Sequence, residues 1–207
     1  AFYSKGSADS AWAPEPLPEL PATCRFLHFG SISLLQDPAA RHISKLVKAN
    51  AGKRIIVFDP NVRLSLIDDL PGYRQHFRKW LGYTDLLKLG DEDAEALAPG
   101  VPHAEAVEAW LQEGPRAAVI TSGGDGAVLF RRNHAPMCIA APKVVVADTI
   151  GAGDTFTAGL SAALLVEGVV EAAQLDGLHN SAWYRVLQFA ATAAALTTPP
   201  TTPTPTT

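Results

Sequence analysis

Cysteine is scarce in this chain, with only Cys24 and Cys138 among 207 residues. Two cysteines cannot build a disulfide framework, and no Cys/His cluster has the spacing of a zinc site. Lysine and arginine number 17 against 21 acidic residues, and no basic block occurs. This balance argues against binding to nucleic acid or to an anionic membrane surface.

Long apolar runs are also missing. The stretch from Gly159 to Val166 falls short of the roughly 20 residues that span a bilayer. The N-terminus lacks the basic, apolar and small-residue layout of a signal peptide. Together these absences predict a reduced, soluble, cytoplasmic protein with no membrane partner.

The apolar pattern of the chain predicts alternating strands and helices. Short apolar runs predict strands at residues 24–31, 54–60, 84–89, 117–121 and 143–148, with a hairpin partner at 127–132. Helices are predicted at residues 38–49, 72–81, 92–97, 103–113, 153–167 and 181–197. Such alternation indicates an α/β fold, with a mainly parallel sheet covered by helices on both faces. We expect residues 1–197 to belong to one domain and the Thr/Pro-rich residues 198–207 to form an extended tail.

Polar and glycine-rich clusters follow four of the predicted strands. They read DPNVR, KLGDED, TSGGDG and DTIGAGD along the chain. In parallel sheets, ligands bind beyond the carboxyl ends of the strands. The sequence therefore predicts a binding site at this rim of the sheet.

The segment DTIGAGD carries the most specific chemistry. Gly151, Ala152 and Gly153 turn the chain into a helix, and glycines let backbone N–H groups approach a ligand closely. With the positive end of the helix dipole, these groups suit a phosphoryl group in transfer. Asp154 stands beside them, where it could accept the proton of an attacking hydroxyl. The simpler alternative is that Asp154 only caps the helix.

This segment resembles the signature of the ribokinase-like carbohydrate kinases, and the resemblance covers nearly the whole chain. It implies an ATP-dependent kinase with Asp154 as the catalytic base and residues 151–153 as the anion hole, steadied by Asp148 and Thr149. TSGGDG resembles the nucleotide loop of the family, which implies that Thr121, Gly123 and Gly126 bind ATP. The long helix at residues 181–197 resembles the adenine-side helix, with Thr192 as a polar contact.

Two further segments acquire roles from the same resemblance. KLGDED is similar to the segment that holds hydrated Mg²⁺ and phosphate, although Gly90 and Asp93 stand where the family usually has Asn and Glu. The resemblance implies a water-mediated Mg²⁺ contact for Asp93 or the adjacent Glu92, and a nucleotide contact for Lys88.

DPNVR resembles a segment that fructokinases share with 2-keto-3-deoxygluconate kinases. This implies that Asp59, Asn61 and Arg63 line the sugar site. A simple strand-ending turn is the alternative for DPN.

The choice of sugar depends on the segments FYSKGSAD and HFGSISL, which look like those of fructokinases. Tyr3 is expected to contact the sugar, and Ser4 and Lys5 stand where keto-deoxy-gluconate kinases prefer Arg. We therefore expect fructose as the substrate. The alternatives are a 2-keto-3-deoxygluconate kinase and an inactive kinase-like regulatory protein, although the latter tends to lose the catalytic Asp or the glycines.

The chain also departs from the family pattern. Family members begin with strands that carry a glycine-rich sugar-binding segment and a small β-lid, which are not visible before Ala1. We therefore expect the chain to correspond to the carboxyl-terminal two-thirds of the fold, and the intact protein to be a possible homodimer. The family's Gly-Ala turn near the adenine is also absent from residues 198–207.

Overall fold

A computed structural model describes residues 7–143 and 150–197 of the chain. In these ranges six strands form one sheet in sequential order. The strands are β1 (Phe26–Gly30), β2 (Ile55–Asp59), β3 (Leu86–Gly90), β4 (Ala117–Thr121), β5 (Ala127–Arg131) and β6 (Met137–Ile139). Strands β1 to β4 are parallel, whereas β5 and β6 return antiparallel. The predicted mainly parallel sheet is confirmed.

Seven α-helices lie in the same ranges. They are α1 (Ala39–Asn50), α2 (Leu70–Leu81), α3 (Asp91–Leu97), α4 (His103–Leu111), α5 (Ala152–Val166), α6 (Gln174–Gly177) and α7 (Asn180–Leu196). Six of them lie within two residues of a predicted helix at each end. None of these helices combines the length and the hydropathy that crossing a bilayer requires.

Strand β2 shows why the sheet is covered on both faces. All five of its residues are buried, and alternate side chains point to opposite faces. Ile56 and Phe58 join the apolar core formed with α1 to α4. Ile55 and Val57 join a second core formed with α5 and α7. The continuous apolar run in the sequence thus reflects a strand between two helical layers.

Helix α5 is held tightly against α7. A Cβ atom at Gly159 would lie 3.1 Å from Cα of Ala190 and 3.3 Å from Cβ of Ala193. Because glycine lacks this atom, the two helices approach closely at that point. Phe156 and Leu160 of α5 are buried in the core beneath. The start of α5 is therefore fixed in position relative to the ends of the strands.

Two elements differ from the sequence prediction. Strand β6 is only three residues long, too short for a recognisable apolar pattern, and exists through pairing with β5. Helix α6 lies in a segment predicted as a loop, and Gln174 Oε1 accepts bonds from the N–H groups of Val170 and Glu171 just before it. The strand predicted at residues 143–148 and the predicted tail lie almost entirely outside the described residues, so both stay predictions, as does the domain boundary at residue 197.

Candidate active site

Three polar side chains lie on the face of the sheet that packs against α5, near the carboxyl ends of their strands. Asp59 follows Ile55 and Val57 on β2, Lys88 follows Leu86 on β3, and Thr121 ends β4. The two-residue period of a strand turns these side chains toward α5, on the side of the apolar core that contacts it. The site therefore begins where polar side chains follow the apolar ones along these strands.

Lys88 and Asp59 form a buried ion pair. Lys88 Nζ donates to Asp59 Oδ2 at 2.9 Å, and each side chain is 5% exposed. The hydroxyl of Thr157 on α5 lies 3.2 Å from the same Oδ2 and 3.1 Å from the carbonyl oxygen of Gly153. This network joins β2, β3 and α5. Within the described ranges, Asp59 Oδ1 is buried and has no hydrogen-bond partner.

The glycine turn leads directly into α5. Gly151 has φ +79°, a left-handed conformation that favours glycine. The first backbone hydrogen bond of α5 is donated by the N–H of Thr155 to the carbonyl oxygen of Gly151 at 2.8 Å. The N–H groups of Ala152, Gly153 and Asp154 precede it and have no acceptor within the helix. This arrangement is suited to an anion.

Lys88 adds positive charge at the same place. A Cβ atom built on Gly153 would lie 3.2 Å from Lys88 Nζ, so the ammonium lies against the first turn of α5. An ammonium at the positive end of a helix dipole is unfavourable unless negative charge offsets it. Asp59 supplies that charge, and a bound phosphoryl group would add more.

Two cavities border the first turn of α5. The first, here named the Asp154 cavity, has a volume of about 230 Å³ and is lined by His28, Phe29, Gly30, Ser31, Ser33, Asp59, Asn61 and Asp154. The second, named the loop cavity, has a volume of about 380 Å³ and is lined by Thr121, Gly123, Gly124, Gly126, Ala141, Pro142, Lys143, Ala152, Gly153, Phe156, Ala191, Ala194 and Ala195. Gly153 and Asp154 are adjacent in sequence but line different cavities. The glycine turn therefore lies between two binding spaces.

The TSGGDG segment forms the turn between β4 and β5. The N–H of Ser122 donates to the carbonyl oxygen of Gly126 at 2.8 Å. Gly126 has φ +100°, and a Cβ atom there would lie 2.0 Å from the carbonyl oxygen of Ile139. Thr121, Gly123 and Gly126 all line the loop cavity, and their role in binding a nucleotide stays a prediction.

Both carboxylate oxygens of Asp93 accept hydrogen bonds from the backbone. Its Oδ1 accepts from the N–H of Val62 at 2.6 Å, and its Oδ2 accepts from the N–H of Gly90 at 3.0 Å. Burial raises the pKa of the Asp93 carboxyl, and these two donors oppose the rise. Asp93 therefore ties the DPNVR turn to the start of α3. Glu92 is exposed and lines neither cavity.

The described residues do not form a protein cage for a divalent cation. No group of three or more His, Cys, Asp or Glu side chains is placed to hold a metal ion in the described ranges. With both Asp93 oxygens bonded to the backbone, direct coordination by this carboxylate is not supported. The water-mediated role predicted for Asp93 or Glu92 stays a prediction.

The remaining predicted site residues differ in whether they line a cavity. Asn61 lines the Asp154 cavity, whereas Arg63 is exposed and does not. Thr192 donates to the carbonyl oxygen of Gln188 at 2.8 Å and does not line the loop cavity. Tyr3, with Asp148 and Thr149, lies outside the described residues. The roles of these residues stay predictions.

Several residues at the site escaped the sequence analysis. His28 lines the Asp154 cavity, and its place two residues before Gly30, which ends β1, was the available signal. Thr157 bonds to Asp59 across 98 positions of sequence, for which no local pattern exists. Ala191, Ala194 and Ala195 line the loop cavity. Their helical spacing and small size were visible in the sequence, but not the surface that they face.

A larger cavity of about 560 Å³ lies between α1 and α2 and contains none of the predicted site residues. Its lining includes Asp37, Asp68 and Asp69 together with Arg41. The predicted chemistry is therefore concentrated at the two smaller cavities.

Solved structures share this fold. The chain resembles fructokinase from Vibrio cholerae O395, in its fructose, ADP and calcium bound form, with a TM-score of 0.75 and 22% identity over 89% of this chain and 57% of that one. It resembles fructokinase with bound ATP from Xylella fastidiosa with a TM-score of 0.76 and 22% identity, over 86% and 56% of the two chains. These likenesses show that the described part of the chain shares the α/β fold of these structures.

The chain is also similar in sequence to curated proteins. The chain is 33% identical over 182 residues to a fructokinase from Rhizobium leguminosarum bv. trifolii, covering 88% of this chain and 56% of that protein. It is 31% identical over 175 residues to a fructokinase from Klebsiella pneumoniae, covering 81% and 55%. The chain thus spans about half the length of these curated relatives.

The family model described as pfkB family carbohydrate kinase matches residues 1–202. This match takes in both cavities, the buried Lys88–Asp59 pair and the glycine turn before Asp154. The chain belongs to the pfkB family of carbohydrate kinases.

Proposed function

We propose that the protein carrying this chain transfers the terminal phosphoryl group of ATP to a hydroxyl of a neutral sugar, with fructose as the first candidate. The observation that carries the proposal is the position of the first turn of α5 between two cavities. Gly153 lines the loop cavity and Asp154 lines the other. A nucleotide in the first and a sugar in the second would meet at the anion-binding end of α5.

The loop cavity suits a nucleotide. Ala191, Ala194 and Ala195 of α7 and Phe156 of α5 give it an apolar wall, and the glycines of the TSGGDG turn leave its backbone accessible. An adenine ring needs such a flat apolar surface, while its phosphates need N–H donors and positive charge. Lys143, which lines the cavity, and Lys88, near the start of α5, supply positive charge.

The transfer step follows from the groups at the start of α5. The acceptor oxygen bonds to the terminal phosphorus, the bond from that phosphorus to the bridging oxygen of ADP breaks, and the hydroxyl proton moves to Asp154. The N–H groups of the first turn and Lys88 Nζ stabilise the charge on the transferred group. Asp154 is exposed in the Asp154 cavity, as a base that meets its substrate must be.

The Asp154 cavity favours a neutral acceptor. Among the described residues its lining contains two carboxylates, Asp59 and Asp154, and no lysine or arginine. An acidic keto-sugar would bring its carboxylate into this space beside Asp154, while the ammonium of Lys88 is already paired with Asp59. The names of the relatives from Rhizobium and Klebsiella agree with fructose. The 2-keto-3-deoxygluconate kinase alternative is therefore the weaker one.

The regulatory alternative is also weaker. An inactive relative is expected to have lost the base or the anion site, yet Asp154, Gly151 and Gly153 are all present at the start of α5. Mg²⁺ belongs to the proposal as the companion of the ATP phosphates, with Glu92 or Asp93 in contact only through water. A cytoplasmic location and a possible homodimer complete the proposal.

The test is a phosphorylation screen with the full-length protein. Fructose, ribose, glucose and 2-keto-3-deoxygluconate are each supplied with ATP and Mg²⁺, and sugar phosphate is quantified. We expect fructose to exceed 2-keto-3-deoxygluconate in kcat/KM by at least about tenfold, which corresponds to about 1.4 kcal/mol in transition-state binding. Equal or reversed preference would overturn the assignment of fructose, and no transfer to any sugar would overturn the kinase.

A further inference from the structure

We propose that His28 is an acceptor-binding residue, whose imidazole forms a hydrogen bond with a sugar hydroxyl in the Asp154 cavity. The inference rests on the proposed sugar kinase function and adds a residue to its acceptor site. His28 shares the lining of the cavity with Asp154 and Asp59. It therefore borders the same space as the proposed base.

The position of His28 follows from the register of β1. Phe29 is buried, 6% exposed, and stacks on Phe58 of β2 with ring centroids 4.6 Å apart. Phe29 therefore belongs to the core between the sheet and helices α1 to α4, on the face opposite to α5. Because neighbouring side chains in a strand alternate, His28 is turned toward the α5 face. The register of β1 pairs His28 with Val57, which belongs to the core under α5. It pairs Gly30, two residues on, with Asp59.

The imidazole of His28 is free to bind a ligand. No hydrogen bond within residues 7–143 and 150–197 engages either of its ring nitrogens. By contrast, His42 and His134 each use Nδ1 toward a backbone carbonyl oxygen. His28 keeps solvent-accessible surface and lines the Asp154 cavity, so a small molecule in that cavity lies against its side chain.

The electrostatic setting favours a neutral ring. Although His28 keeps accessible surface, the protein that surrounds the imidazole partly desolvates it and lowers the pKa of His28, while Asp59 and Asp154 oppose that change. A neutral imidazole has one donor and one acceptor nitrogen, and a sugar hydroxyl can likewise donate and accept. A neutral ring also leaves the Asp154 carboxylate without a competing cation. Asp154 then remains available to the proton of the acceptor.

A structural role is the competing explanation. Among the strands that the structure describes, β1 lies at one edge of the sheet, and the side chain of His28 there could serve only to cover the sheet. Such a role would affect thermal unfolding and both substrates alike. An acceptor-binding role would affect the sugar alone, so the two explanations predict different results.

The test compares His28→Ala and His28→Gln with the wild type in the full-length protein. Because Gln also carries a donor and an acceptor, His28→Gln retains part of the affinity if the fold tolerates it. The matched control is His134→Ala, at an exposed histidine between β5 and β6. Fructose binding is measured by calorimetry without nucleotide, and kcat and both KM values are measured with ATP.

We expect His28→Ala to weaken fructose binding by about tenfold, the loss that corresponds to one hydrogen bond of about 1.4 kcal/mol. The KM for ATP and the thermal unfolding midpoint should stay at wild-type values, and His134→Ala should match the wild type throughout. Fructose affinity within twofold of wild type in both His28 variants would overturn the inference while leaving the kinase intact. Loss of ATP and fructose affinity together in both variants would also overturn it. A wild type that transfers phosphate to no sugar would overturn the proposed function, and the inference would fall with it.

Discussion

Lys88 Nζ lies 2.9 Å from Asp59 Oδ2, in a pair whose two side chains are each 5% exposed. The pair lies where β2 and β3 end, beneath the first turn of α5. Asp59 offsets an ammonium that would otherwise oppose the helix dipole. The second carboxylate oxygen, Oδ1, is buried without a partner among the described residues. The pair therefore holds positive charge in place at the proposed site of phosphoryl transfer.

Removing one member of this pair should be costly for stability. Lys88→Met leaves a buried carboxylate without its cation, and we expect a loss of about 3–5 kcal/mol in the free energy of unfolding. The double variant Lys88→Met, Asp59→Leu should recover most of that loss, because no unpaired charge remains. Urea unfolding of the full-length protein measures both values.

The control for the pair is Arg41→Met. Arg41 and Asp37 lie 3.3 Å apart with side chains about 60% exposed, so this change should cost less than about 1 kcal/mol. A double variant that is less stable than Lys88→Met would show that the pair does not act as a coupled unit.

The proposed base gives a prediction about rate. Asp154→Asn should lower kcat by about 10²–10⁴-fold, the usual contribution of a positioned base, with little change in ATP affinity. Steady-state kinetics and nucleotide titration measure the two effects. Asp68→Asn, at an exposed position that lines neither the Asp154 cavity nor the loop cavity, should behave as wild type. A variant that keeps more than half of the wild-type kcat would remove Asp154 from the mechanism.

The turn between β4 and β5 contains two glycines with different surroundings. A Cβ atom at Gly126 would meet the carbonyl oxygen of Ile139 at 2.0 Å, whereas at Gly124 nothing lies within 4 Å. Gly126→Ala should therefore destabilise the protein and weaken ATP binding, because the backbone must shift beside the loop cavity. Gly124→Ala, its matched control, should change the free energy of unfolding by less than about 0.5 kcal/mol. Equal effects of the two substitutions would contradict the observed turn.

Asp93 gives a prediction about pH. Burial raises the pKa of its carboxyl above the ordinary value of 3.8, against the N–H donors of Gly90 and Val62. The folded protein therefore holds this proton more tightly than the unfolded chain. The stability that the group contributes is full below pH 3.8 and is lost as the pH rises through the folded pKa.

The variant Asp93→Asn cannot titrate at this position. The stability of the wild type relative to the variant should therefore fall as the pH rises from 3.8 through the folded pKa of Asp93. Chemical unfolding of both proteins at several pH values measures the difference. A difference that grows with pH would mean that hydrogen bonding to the carboxylate outweighs its burial.

Much of the fold could be predicted because its signals are local. The apolar run before Asp59 indicates a buried strand, and the glycines before Asp154 indicate a helix that begins there. In both cases the structure agrees, with β2 at Ile55–Asp59 and α5 from Ala152. The three residues of β6 carry no such pattern, because their structure depends on pairing with β5.

The sequence by itself determined the order of strands and helices and the rim at which polar residues gather, since strand and helix periodicity arise within a few consecutive residues. Tertiary structure alone decided which of those residues meet. Asp59 binds Lys88 across 29 positions and Thr157 across 98, and Asp93 bonds to the backbone. Such contacts depend on how strands register and how α5 crosses the sheet, because distances between atoms far apart in the chain are set only when the elements pack.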